Sequence, residues 1–586
     1  VIDFEPIDRH FAELMHRLGG DSSVSLAAQL LSRATRQGDI CLDLAAWAGT
    51  PLDEPLCNTP ALTAWLQALR QSPVVGAASD CTPMILDSKA RLYLRRYFDY
   101  EQRLAGAIRN LSARLYNVDW ARARRTLSAL FPRNHQTIDY QALAALAALA
   151  TGFTVITGGP GTGKTTTVAK VLALILDQDR QTKVVLAAPT GKAADRLQAS
   201  VREAAERLTL DNGVKASIPE EAFTIHRLLG PLSDSPYFKH HARNKLSYDV
   251  VVVDEASMVD LALMAKLVDA VPESSRLILL GDRDQLASVQ AGYVLGDLCD
   301  TGVEHGYSSV FAARVSDITG FDIQGRGPAG FQDSIIELKT NYRFGPESGI
   351  GRLSRQVNDG ACGLIDSHDL PDLGFRPLPP APLLKRQLKD LIIQGYAPYL
   401  TSTDPGKSLE RLNDFRVLCA LKEGPYGVNA LNALAEDVLE ASGLIKPVGQ
   451  HYHGQPILIT RNDSRLHLYN GDVGIILKTA DGLSAFFPGP EGQPRIFSPA
   501  RLPEHVTVFA MTVHKSQGSE FGHVLMVLPE RDTPVLTREL IYTGITRART
   551  RLDLWAEPNI LQNAVARRIV RTSGLRDALW GDEADK

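Results

Sequence analysis

The chain has 586 residues, 44% of them hydrophobic and 22% charged, with a net charge of −4. That composition excludes a disordered or disulfide-stapled chain, and the length predicts three or four domains of roughly 150 residues each. The near-balanced charge excludes a globally basic nucleic-acid binder, so any groove for a polyanion must be a local feature.

No apolar run approaches the ~20 residues needed to cross a bilayer. The N-terminal stretch Val1-Ile2-Asp3-Phe4-Glu5 is acidic and lacks the basic and apolar regions of a signal peptide. Six cysteines (Cys41, Cys57, Cys81, Cys299, Cys362, Cys419) are scattered with no Cys-x-x-Cys pair. The expectation is a soluble cytoplasmic protein with reduced thiols, no membrane association, and no structural zinc or iron–sulfur cluster.

In chain order, residues 1–112 read as helical, with apolar residues at helical spacing in Leu26-Ala27-Ala28-Gln29-Leu30-Leu31 and Ala61-Leu62-Thr63-Ala64-Trp65-Leu66. No catalytic constellation lies there, and a structural or partner-docking domain is expected. Residues 113–335 alternate helices with short strands at Phe153–Thr157, Lys183–Ala188, Val250–Val253 and Arg276–Leu280. Such continuous apolar runs suit strands of a parallel sheet buried on both faces. The Gly-rich stretch 319–330 predicts a loop.

Residues 336–586 suggest a second parallel sheet, with strands at Phe415–Leu421, Val524–Leu528 and Leu552–Trp555. The Pro-rich piece 370–382 predicts an irregular surface excursion. Within 447–502, Pro456–Thr460, Val473–Leu477 and Leu483–Phe487 are split by Asn470-Gly471-Asp472 and Asp481-Gly482. These turn signals predict a small inserted β-barrel.

Chemistry first becomes specific at Gly158-Gly159-Pro160-Gly161-Thr162-Gly163-Lys164-Thr165, which follows a predicted strand and opens a predicted helix beginning at Thr166. This is a phosphate-binding loop. Its glycines let backbone N–H groups turn toward phosphate oxygens, Lys164 reaches the β- and γ-phosphates, and the Thr165 hydroxyl ligates Mg2+. The run Val250–Val253 ends in Asp254-Glu255. Asp254 completes the magnesium shell, and Glu255 is suited to orient or deprotonate the attacking water. Gln285, in Gly281-Asp282-Arg283-Asp284-Gln285, places a neutral amide that can sense the γ-phosphate.

The ordered blocks Ala188-Pro189-Thr190-Gly191-Lys192, Thr224-Ile225-His226-Arg227, Asp254-Glu255-Ala256-Ser257, Gly281–Gln285, Asn341-Tyr342-Arg343, Met511–Glu520 and Tyr542–Arg549 resemble superfamily 1 helicases. Among those the chain is most similar to the RecD family, the alpha subunits of exonuclease V in RecBCD-type complexes. The resemblance implies an α/β fold with two RecA-like motor domains, ATP with Mg2+ between them, and Arg343 and Arg547 as arginine fingers. It further implies 5′-to-3′ movement on single-stranded DNA, and RecB-like and RecC-like partners. Gln141 matches an adenine-reading glutamine and Glu520 a ribose contact. Thr190, Lys192, His226, Thr512 and His514 match contacts to the DNA backbone.

Plainer alternatives exist for several of these. Gln141 also fits a solvent-facing helix residue, and a lone histidine such as His226 is often structural. The basic, aromatic segment Tyr237–Lys245 fits either a hairpin touching nucleic acid or a solvated loop. For the whole chain the alternatives are a free-standing superfamily 1 helicase, an ATP-gated assembly factor that unwinds nothing, and an RNA helicase. No nuclease-like carboxylate cluster is recognisable, so DNA cutting is expected on a partner.

Overall fold

The structure is a computed structural model, and it describes residues 3–52, 58–132, 138–208, 211–233, 235–302, 305–361, 363, 370–463, 465–480, 482–489 and 492–581. Cys57, Cys362 and Asp481 lie outside the described residues. The chain divides into two compact units. One comprises Val1–Arg283, Ala287–Thr340 and Val570–Lys586; the other comprises Asp284–Leu286 and Asn341–Ile569.

The first unit opens with helices Pro6–Arg17 and Ser22–Arg36, the second capped by Asp21, whose carboxylate accepts from Val24 N at 2.8 Å. The helical expectation for residues 1–112 is incomplete. Cys41–Asp43, Arg91–Leu94, Met84–Leu86 and Val75–Gly76 form a four-stranded sheet in that order. Strands of two to four residues are too short to display the alternation by which a strand is recognised in sequence. Helix Arg95–Ala113 then leads into the larger sheet of this unit.

There a six-stranded parallel sheet runs in the order Ile335–Glu337, Phe153–Thr157, Arg276–Gly281, Val250–Val253, Val184–Ala188 and Ala222–Thr224. Alternation explains why it is the middle layer. Val251 and Val253 enter one apolar cluster with Val155, Leu277 and Leu279. Val250 and Val252 enter the opposite one with Ile156, Ile278 and Leu280. Both faces are therefore covered, and burying each such side chain contributes about 1.5–3 kcal/mol. Helix Tyr140–Ala150 is buried from Gln141 through Ala150, consistent with a helix apolar on all sides.

The expected second domain does not keep its last residues. Val570–Lys586 belong to the first unit, where Thr572 N donates to Asp39 Oδ1 at 2.7 Å and Ile40 N to Thr572 O at 2.8 Å. Gly574 N donates to Glu101 Oε2 at 2.8 Å, and Arg91 pairs with Asp577 at 2.7 Å. A tail lacking a long apolar pattern gives no sign in sequence of where it docks.

Burial pushes Glu101 up to about 7. A carboxyl whose folded-state value is raised stabilises the fold at low pH and loses that contribution as pH rises toward 7. Glu101→Gln keeps an acceptor for Gly574 N without the charge. It should therefore stabilise the protein more at pH 8 than at pH 5.5, by about 1–2 kcal/mol, read from denaturant unfolding at the two pH values.

The second unit holds a five-stranded parallel sheet, in the order Leu373–Arg376, Ala548–Trp555, Phe521–Val527, Phe415–Cys419 and Ala510–Thr512. Leu373–Arg376 corrects the irregular excursion expected over 370–382. Prolines flank these four residues without interrupting them, and the strand lies at the sheet edge, where missing donors cost least. A separate antiparallel sheet runs Arg495–Phe497, Gly482–Phe487, Val473–Thr479, Gln455–Ile459 and His505–Thr507, around Ile457, Ile459, Leu468, Ile476, Ala485 and Phe487. Its last strand lies beyond residue 502.

Among the described residues, Cys41, Cys299 and Cys419 are buried free thiols and Cys81 is an exposed one. No described helix is long and apolar enough to cross a membrane, and no described group of three or more His, Cys, Asp or Glu side chains could hold a metal ion by itself.

Candidate functional site

In the first unit, strand Phe153–Thr157 delivers the glycine loop and helix Lys164–Gln178 begins at its end. Gly161 and Gly163 have φ of +83° and +79°, which L side chains rarely adopt. At Gly158 a Cβ would sit 2.9 Å from Thr162 Oγ1 and 3.1 Å from Leu338 O. Only glycine fits this cradle. Thr162 Oγ1 donates to Gly159 O at 2.8 Å, and Lys164 Nζ donates to Gly158 O at 2.6 Å and Gly159 O at 3.2 Å. The lysine ammonium therefore lies over the loop that carries it, beside the inward-turned backbone. Pro160 and Thr162 are buried, whereas Thr166, on the first turn of the helix, is exposed.

Gln141 is not solvent-facing. It is 8% exposed, and its Nε2 donates to Thr162 O at 3.2 Å, so it braces the glycine loop. Asp254 and Glu255 follow strand Val250–Val253, where Asp254 N donates to Ala187 O and Glu255 N to Asp254 Oδ1, both at 2.9 Å. Desolvation and the adjacent Glu255 push Asp254 up to about 6, against the opposing charges of Lys164 and Arg196. Glu255 has φ of +51°, a strained conformation for a non-glycine residue. Arg196 and the buried, unpartnered Ser257 Oγ were not singled out in sequence, although Ser257 stands inside the Asp254–Ser257 block.

In the second unit, Arg547 is 2% exposed. Its Nη2 donates to Gln285 Oε1 at 2.9 Å, Nη1 to Ser519 O at 3.1 Å and Nε to Thr543 O at 3.2 Å. Leu286 N donates to Thr543 Oγ1 at 3.0 Å, and Gln517 Nε2 to Leu286 O at 3.2 Å. Arg547 thus holds the Gln285 side chain, and Thr543 and Gln517 hold the backbone of Leu286 beside it. Ser519 was missed because its contact to Arg547 is a backbone carbonyl, which no side-chain pattern reveals, and Thr543 because its hydroxyl and carbonyl meet partners brought near only by the fold.

Arg343 pairs with Glu520 at 2.7 Å, and its Nη1 is buried with no hydrogen-bond partner. A buried, unpaired guanidinium N–H fits an anionic group at that point. Glu520 is therefore tied to Arg343.

The expected nucleic-acid residues are distributed over both units. Thr190 caps helix Gly191–Glu206, accepting from Ala193 N at 3.2 Å, with Lys192 on the first turn. His226 lies on helix Ile225–Leu229, edge-on to Phe238 at 5.6 Å. Desolvation lowers the affinity of His226 for a proton, which favours the neutral ring. In the second unit Thr512 Oγ1 accepts from Lys515 N at 3.2 Å, and His514 begins the short turn His514–Ser516. Lys515 Nζ reaches Asn470 Oδ1 at 3.1 Å, joining this turn to the antiparallel sheet module. In the segment 237–245, Phe238 forms an antiparallel bridge with Pro231 and His241 one with Asn244.

Three family descriptions match the chain: the RecBCD enzyme subunit RecD N-terminal domain over residues 3–93, an AAA domain over 141–291, and the UvrD-like helicase C-terminal domain over 507–554. A RecBCD enzyme subunit RecD from Mycolicibacterium smegmatis is 38% identical, with the alignment covering 98% of this chain and 97% of that one. The chain belongs to the RecD family. A second family member, the RecBCD enzyme subunit RecD from Haemophilus influenzae, is 36% identical over 87% of this chain and 82% of its own. The ATP-dependent RecD2 DNA helicase of Deinococcus radiodurans is 29% identical over 85% of this chain and 59% of its own length.

Proposed function

We propose that this chain is the ATP-driven DNA helicase subunit of a RecBCD-type helicase–nuclease complex in the cytoplasm. It moves 5′-to-3′ on single-stranded DNA during double-strand-break repair and end processing, while a partner cuts. The observation that carries this reading is the phosphate cradle, with left-handed Gly161 and Gly163 and the Lys164 ammonium over the loop. Membership of a family whose relatives bear helicase and RecBCD names supports the rest.

In this reading the backbone of Gly158–Gly163 and Lys164 hold the triphosphate, and Gln141 and Glu520 serve the nucleoside. Thr165 and Asp254 would hold Mg2+, which would neutralise charge on the triphosphate when bound. Glu255 orients the attacking water and accepts its proton as the bond from phosphorus to the ADP oxygen breaks. Gln285 senses the γ-phosphate. Arg343 and Arg547 offset the charge that develops on the transferring group. Thr190, Lys192, His226, Thr512 and His514 grip DNA backbone with hydroxyl, cationic and imidazole donors, which position the strand without reading its sequence.

The same reading assigns 1–112 to partner docking, 113–335 and 336–569 to RecA-like motor domains, and 447–502 to a small β-barrel. RecB-like and RecC-like subunits are the partners. Ile7, Leu14 and Leu18 support a docking role: they are 60%, 49% and 52% exposed and share one face at the outer side of Pro6–Arg17.

The test is steady-state ATP hydrolysis by the full chain, alone and in the reconstituted complex, without nucleic acid, with single-stranded DNA and with single-stranded RNA. Stimulation by DNA, followed by unwinding of 5′-tailed but not 3′-tailed duplexes by a complex in which this is the only active motor, is the expected result. DNA-independent turnover in the complex would favour an ATP-gated assembly factor, and preference for RNA would overturn the substrate.

A further inference from the structure

The segment carrying Gln285 is anchored at both feet within the first unit. At the leading foot, Arg283 N donates to Thr157 Oγ1 at 3.4 Å, the Arg283 guanidinium pairs with Glu337 at 3.2 Å, and Tyr293 OH donates to Arg283 O. The trailing foot, 288–292, folds into a knot in which Ser288 Oγ lies 2.9 Å from Gln290 O and 3.1 Å from Gly292 O.

Three carbonyls of that knot converge on one side chain from the far end of the sequence. Arg571 Nη1 donates to Gln290 O at 2.8 Å and Gly292 O at 2.7 Å, and Arg571 Nη2 donates to Ser288 O at 2.7 Å. A planar guanidinium spans acceptors set on different sides, which the single ammonium of a lysine does not. The N-terminal region closes the same clamp. Gly292 N donates to Gly38 O at 2.9 Å, and a Cβ on Gly38, whose φ is +104°, would sit 2.8 Å from Arg571 Cζ.

We propose that Arg571 is a positioning residue for ATP turnover. By clamping 288–292 it fixes the trailing foot of the loop that presents Gln285, and Gly38–Ile40 of the docking region hold the clamp in turn. The inference rests on the reading of Gln285 given under Proposed function. ATP is held by the Lys164 loop, which Arg571 does not touch. The tip keeps its bonds to Arg547, Thr543 and Gln517. A loosened foot therefore shifts Gln285 from its productive position rather than freeing it, at a cost in rate rather than in nucleotide affinity.

The experiment uses the reconstituted complex with single-stranded DNA. Arg571→Ala should lower kcat about 10–100-fold while KM for ATP moves less than about threefold. In a Gln285→Ala background the same change should cost less than about twofold further, because both act through one group. Gly38→Ala, a milder displacement of the guanidinium, should lower kcat in the same direction, and it decides alone where Arg571→Ala fails to assemble.

Retention of kcat within about twofold by Arg571→Ala, or a multiplicative loss in the Gln285→Ala background, would overturn the inference. So would full turnover by Gly38→Ala in the case where it decides alone. A slow Gln285→Ala beside a fast Arg571→Ala removes the inference and leaves the site reading standing. A fast Gln285→Ala removes both.

Discussion

Lys164→Gln should lower ATP hydrolysis by about 10³-fold or more, with little change in thermal unfolding. The lysine is only partly buried, and its two protein partners are the carbonyls of Gly158 and Gly159 at 2.6 and 3.2 Å. Losing those contacts costs the fold little, since each is a hydrogen bond worth about 1 kcal/mol net. Losing the positive charge costs the reaction much more, because negative charge gathers on the β- and γ-oxygens within a water-poor site. Phosphate release and a melting curve on the same preparation test both halves. Turnover at the wild-type rate would remove Lys164 from the active site.

Arg547→Ala should retain ATP binding and lose about 10³-fold or more in single-turnover hydrolysis. Unlike Lys164 it carries a structural cost. The guanidinium is 2% exposed and satisfies Gln285 Oε1, Ser519 O and Thr543 O. Truncation leaves those acceptors without their donor, a destabilisation of about 2–4 kcal/mol within the second unit. Arg547→Lys separates the two effects: it retains the charge and loses the fork that meets three acceptors. Partial recovery of stability without recovery of rate is expected, judged by unfolding and by rapid-quench hydrolysis with pre-bound nucleotide. An unchanged turnover number in Arg547→Ala would remove this arginine from the chemistry.

Much of the proposed nucleotide site was legible because its parts are local. A cradle of backbone N–H groups needs glycines at set positions, so Gly158 to Gly163 are visible as letters, and their left-handed or crowded positions in the fold explain why those letters are required. The apolar strands of the first parallel sheet were legible for a similar reason. A strand covered on both faces has no polar alternation, and Val250–Val253 shows none.

Other residues were ambiguous until their surroundings were known. Gln141 could have faced water, but its amide braces Thr162 instead. The short N-terminal strands and Leu373–Arg376 were misread because two to four residues hold too little pattern, and flanking prolines outweighed what was there.

By itself, then, the sequence determined the family, and it named the residues proposed for the phosphate loop, the acidic pair Asp254–Glu255 and the arginines of the later blocks. These depend on residue type at fixed spacing along the chain. Only the tertiary structure decided that Gln285 meets Arg547, that Arg343 keeps a buried donor without a partner, and that Val570–Lys586 return to the first unit, bringing Arg571 to three carbonyls 279 to 283 residues upstream. Those facts depend on which backbone atoms converge in space. Every residue carries the same carbonyl, so no spelling of the sequence marks the few that do.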